Sequence, residues 1–174
     1  MPDSAGCSRY AALPYDSTLT FEARSSLHPV HGKATNLTGY VDAAWSDDGL
    51  RLEPPPAMHV EVPVERLRSG NDLQDREMRK LVDSRRNPSI VADLAGVRPT
   101  GTPNRFAADG DITLAGRTHR YSGEMAVTLA GNRITVEGDL RVDIRDFGLQ
   151  PPKVLFLKVE PQVNVHLRLI AARQ

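Results

Sequence analysis

Cysteine is almost missing. Cys7 is the only one, so no internal disulfide can form, and folding must rest on a packed core rather than covalent staples. Aromatic residues are also scarce, at 5% of 174 positions, which leaves few large rings to fill an interior. Neither charge predominates: 22 Lys and Arg balance 22 Asp and Glu, and no basic or acidic run stands out, so nothing argues for a nucleic-acid partner. No apolar run approaches the ~20 residues of a membrane-spanning helix, which argues against stable membrane insertion. The first residues lack the basic-then-apolar layout of a secretory leader. "SAGC" at Ser4–Cys7 resembles a lipoprotein cleavage box, but only Met1-Pro2-Asp3 precedes it. The expectation is a cytoplasmic chain of one domain, long enough to bury a real core.

What is present in quantity is punctuation, 13 Gly and 13 Pro, and between the punctuators the chain alternates. Leu19, Phe21 and Ala23 alternate with Thr20, Glu22 and Arg24, and Met58, Val60, Val62 and Val64 stand against His59 and Glu61. Period-two patterns of this kind predict strands with one face in a core. Residues 1–16 read as an irregular arm, and 17–174 as a single domain. Further strands are expected over Ser89–Val97, Arg105–Leu114, Arg120–Leu129, Arg133–Ile144 and Gln162–Ala171. The glycines of "LAGRTH" and "LAGNRI" suit tight antiparallel hairpins. Repeated hairpins favour an up-and-down sheet of about eight strands, which removes its edges by closing into a barrel.

One segment departs from this pattern. Asn71 with Gln74 forms a capping-box pair, Asp72 and Asp75 suit the positive end of a helix dipole, and Pro88 ends the segment. One amphipathic helix is predicted near Asp72–Asp83, placing Leu73, Met78, Leu81 and Val82 against an edge or end of the sheet.

Assigning the apolar phase of each strand to the interior gives Leu19, Phe21, Leu37, Val41, Met58, Val60, Ile112, Leu114, Met125, Val127, Val136, Leu140, Val142, Val165 and Leu167 as candidate ligand contacts. An eight-stranded barrel is just wide enough to be filled by its own side chains or to hold one small ligand. So aliphatic a lining is compatible with either. After "LRVDIRDFGLQPP", which reads as a strand ending in a rim corner at Phe147, Val154, Leu155, Phe156 and Leu157 are consecutive and apolar. They cannot all face one side of a strand. A ligand tail would give Phe156 a partner, and so would a second subunit in a homodimer.

Candidates for chemistry are thin. His28 and His31 are spaced as in some metal sites, but Pro29 opposes the helix that would align them, and no cysteine or acidic pair completes a shell. His59, His119 and His166 read as solvated, as do Arg145, Asp146, Lys153 and Lys158 at one rim. No nucleophile elbow is present, and the inward face offers no titratable group to tune. No catalysis, no metal and no cofactor are expected.

Several motifs in order resemble the YceI-like family of lipocalin-like barrels. These are "LVDSRRNPSIVADL" with Asp83 and Pro88, "GDITLAGRTH" with Gly110, Thr113, Gly116 and Thr118, the "IRDFGL" corner, and the closing "PQVNVHLRLIA". The resemblance runs from about Ser17 to Ala171. It implies non-enzymatic binding or sequestration of a long-chain hydrophobic molecule, such as a polyisoprenoid, quinone or other lipid. Three positions depart from the family in size: Leu81-Val82 replace a Phe-Phe pair and Ala92 replaces a phenylalanine, changes that would enlarge or reshape a cavity. The alternatives are a stress-linked interaction module with a filled barrel and an enzyme acting on a bound lipid.

Overall fold

The computed structural model describes residues 6–151, 153–154 and 157–174. In chain order the elements are β1 (Ser8–Ala12), β2 (Thr18–Ser25), β3 (Val30–Ala34), β4 (Thr38–Ala43), the short pair β5 (Trp45–Ser46) and β6 (Gly49–Leu50), β7 (Ala57–Pro63), α1 (Asp72–Val82), β8 (Ser89–Pro99), β9 (Arg105–Leu114), β10 (Arg117–Ala130), β11 (Arg133–Asp143), β12 (Lys153–Val154) and β13 (Leu157–Arg173).

β1 and β2 lie end to end along one edge of β13, with Tyr10 opposite Arg173 and Leu19 opposite Leu167. β3 and β4 run end to end beside them, β3 on β2 and β4 on β1. Counting each interrupted pair as one strand, the sheet continues through β7, β8, β9, β10, β11 and β13, and β13 returns to β1 and β2. The result is a closed, eight-stranded antiparallel meander, as the repeated hairpins predict.

The arm expected over residues 1–16 is therefore corrected: Ser8–Ala12 is a barrel strand, bonded to β4 and β13, with Tyr10 buried. "SRYAA" carries one large apolar residue, too few for an alternating signal. Its conformation comes from the two edges that it closes. The last strand also begins earlier than Gln162. Its register shifts between Val159 and Val163, an irregularity that accommodates Pro161 within a strand.

The β9–β10 hairpin turns on Ala115-Gly116, both at positive φ (51° and 78°), the geometry of a tight primed turn. On the outer face, charged residues meet in register. Arg9 faces Asp42, Arg120 faces Asp111 and Arg168 faces Glu137 as ion pairs, and His59 and His166 face and hydrogen-bond to Asp93 and Asp139. These cross-strand pairs favour this register, and a one-residue slip would break the whole set.

α1 starts as expected: the Asn71 side chain accepts from the N–H groups of Leu73 (3.0 Å) and Gln74 (3.1 Å). The reciprocal half of the box is absent, because the Asn71 N–H donates to Ser69 Oγ instead (3.3 Å). Asp83 ends the helix in the left-handed conformation (φ 52°). Leu73 is not on the buried face and is 40% exposed. Five residues before Met78, it is rotated about 140° around the axis, and Asp75 takes the inward position. Among the described residues no helix is long and apolar enough to cross a membrane.

Candidate functional site: an apolar cavity beneath the helix

The barrel interior has two unlike halves. Towards the β5–β6 end the inward side chains pack solidly, and Leu37, Ile134 and Leu169 have no exposed surface. Val41, Met125, Val127 and Val136 belong to this buried core, and Met58 packs against it. Towards the α1 end the inward side chains surround a cavity of about 250 Å³.

Nine of the residues expected from the strand phases line this cavity: Leu19, Phe21, Val60, Ile112, Leu114, Leu140, Val142, Val165 and Leu167. Among the described residues Phe21 is the only ring in the lining. The expected contacts Leu37, Val41, Met58, Met125, Val127 and Val136 are not in the cavity wall, because they lie in or against the packed half. Phe156 and Leu155, for which a ligand tail or a second subunit was expected as partner, lie outside the described residues.

α1 roofs the cavity with Met78, Leu81 and Val82, and Leu67, Ile144 and Leu149 close the sides. The helix face was legible in the sequence, but its arrival over the cavity was not, since strand phases alone carry no information about the roof. Leu81, Val82 and Ala92, for which the resemblance implied an enlarged or reshaped cavity, all line it.

The polar exceptions in the wall are few. Ser69, Gln74 and Asp75 lie on the roof side, and Glu160 lies on β13. Asp75 is 2% exposed, and its Oδ1 accepts from Ser69 N–H (2.9 Å) and Ser69 Oγ (2.7 Å). Sequence reading saw Asp75 only as a dipole complement. Its spacing, three residues before Met78 and seven before Val82, sets it on the inward face of the helix, a signal masked by its charge.

The "RDFG" corner builds the rim rather than the lining. Phe147 is buried, its ring 6.1 Å from that of Tyr121 and 6.3 Å from His119. The Tyr121 hydroxyl donates to Asp146 Oδ2 (2.7 Å), and burial together with that neighbouring carboxylate holds it protonated well above the usual tyrosine range. Arg145 donates to Asp143 Oδ1 (3.0 Å) and Oδ2 (2.7 Å), which keeps the Asp143 carboxyl below its ordinary pKa. His59 and His166 face outward, each beside two carboxylates. His28 only approaches the Pro29 carbonyl (3.2 Å). Among the described residues no three His, Cys, Asp or Glu side chains converge on a point.

A closed meander barrel with an apolar cavity at one end is a lipocalin-like architecture. The model of the YceI-like domain matches residues 10–171, and the chain belongs to that family. Among solved structures the chain is similar to BcnA of Burkholderia cenocepacia (TM-score 0.75, 15% identity, 90% of this chain and 97% of that one). It is also similar to a polyisoprenoid binding domain from Saccharophagus degradans implicated in plant cell wall breakdown (TM-score 0.70, 14% identity, 95% and 98%). A Campylobacter jejuni YceI protein is similar at a TM-score of 0.66 (10% identity, 83% and 85%). No curated protein matches the chain in sequence.

Proposed function

We propose that this protein sequesters the hydrocarbon part of an elongated apolar ligand, such as a polyisoprenoid, a quinone or another long-chain lipid, without chemistry on it. The observation that carries this reading is the apolar cavity of about 250 Å³ at one end of an otherwise packed barrel. Membership of the YceI-like family supports it, as does the likeness to a protein described as a polyisoprenoid binding domain. The contacts proposed are the nine strand residues of the wall with Met78, Leu81 and Val82 of the roof.

The driving force is desolvation of both surfaces, at roughly 0.8 kcal/mol per buried CH₂. A 150 Å³ apolar cavity takes a benzene ring, so by proportion this one takes about ten carbons. A longer chain must leave its remainder outside or spread the roof. Displacement of a polarity-sensitive fluorophore by alcohols of rising chain length tests this. Affinity is expected to climb about fourfold per added CH₂ up to about ten carbons and then level off. No dependence on chain length would sink the carrier reading and favour a barrel that works through its outer surface.

A further inference from the structure

We propose that Asp75 is the head-group site of this cavity, and that the protein selects chain ligands ending in an uncharged or cationic hydrogen-bond donor, an alcohol or an amine, over carboxylates and phosphates. This rests on the carrier reading and adds the polar end of the ligand to it.

Two acidic residues, Asp75 and Glu160, and no Lys, Arg or His line the cavity among the described residues, and the surface they share with the aliphatic side chains is almost wholly apolar. Asp75 is the one that is fully buried. A buried carboxylate is costly unless its oxygens find donors. Ser69 supplies two, both to Oδ1. Oδ2 accepts from no donor among the described residues, although a carboxylate has room for about four. A ligand hydroxyl or ammonium entering the cavity would supply the missing donor while its chain fills the aliphatic wall.

An anionic head group at the same place would set like charges together where little water screens them, which disfavours it strongly. None of the cations near this end lies in the cavity wall among the described residues. Arg145 is engaged by Asp143 and with Lys158 lines a separate surface recess of about 450 Å³, while Lys33, Arg68 and Arg141 line another recess that shares Ser69 and Phe21 with the cavity.

Ten-carbon ligands differing only in their head group give the test: decanol, decylamine and decanoate, titrated into the full chain at neutral pH. Decanol and decylamine are expected to bind at least tenfold more tightly than decanoate. Asp75→Asn keeps an oxygen for the two Ser69 donors. It should raise decanoate affinity at least fivefold and lower that of decylamine, with the circular dichroism spectrum unchanged. Should that variant fail to fold, the wild-type order of affinities decides alone. Equal binding of all three, or an order unaltered by Asp75→Asn, would leave the carrier reading standing and overturn this one. Preference for decanoate that is lost in Lys158→Ala would overturn it in favour of the outer recess. If none of the three binds, both readings fall.

Discussion

Val136 and Val142 sit six residues apart on the inward phase of β11, yet they occupy different environments. Val136 faces Leu169 across the ladder in the packed half, while Val142 faces Val163 in the wall of the cavity. Replacing each with Phe should therefore have opposite consequences. Val136→Phe is expected to cost about 1–3 kcal/mol by overpacking and to leave the cavity open. Val142→Phe should cost little stability and weaken binding of a ten-carbon probe by tenfold or more. Chemical denaturation and probe titration on the pair check both halves; equal destabilisation would mean that no cavity exists at Val142.

The seam between β3 and the segment leading into α1 is tied by Lys33 and Arg68, each N–H donating to the other's carbonyl at 2.9 Å. Gly32 sits against it. A Cβ there would overlap the Arg68 carbonyl and press on the Phe21 ring, which lines the cavity. Gly32→Ala should lower stability by about 1–3 kcal/mol and reduce affinity for apolar probes in the same variant. A neutral effect on both would show that the seam yields without disturbing the cavity.

His59 donates to Asp93 (2.6 Å) and contacts Glu61 (3.2 Å), and the hydrogen bond to Asp93 raises its pKa above the ordinary histidine value. The folded state thus binds this proton more tightly than the unfolded chain. The resulting stabilisation is full below the unfolded pKa of about 6.5 and is lost as pH rises through the folded value. Thermal denaturation from pH 6 to pH 9 should show a decline in wild type that is smaller in His59→Gln. Parallel profiles would assign the decline to other groups.

Ala115 holds a left-handed conformation (φ 51°) in the β9–β10 turn, a region that costs a side-chain-bearing residue about 1–2 kcal/mol. Ala115→Gly should stabilise by about 0.5–1 kcal/mol, and Ala115→Val should destabilise more than it gains in burial. Denaturation midpoints read both signs directly.

Most of the strands, their faces and the helix were legible in the sequence because alternation and capping are local, whereas β3, interrupted by Gly32, was not. Phe21, Leu114 and Val142 show their inward phase to anyone reading two residues either side, and Asn71 announces α1. The closing strand was not legible. Ser8–Ala12 has almost no pattern of its own, and takes its conformation from β4 and β13, far away in sequence. Nor was the division of the interior. A period of two assigns a residue to a face but says nothing about depth along the barrel axis, so Val136 and Val142 look alike until the other strands set what stands at each level. Asp75 was decided by tertiary structure for the same reason. Its place in the first turn of α1 follows from local sequence, while its burial beside an apolar cavity depends on where the helix settles across the barrel end.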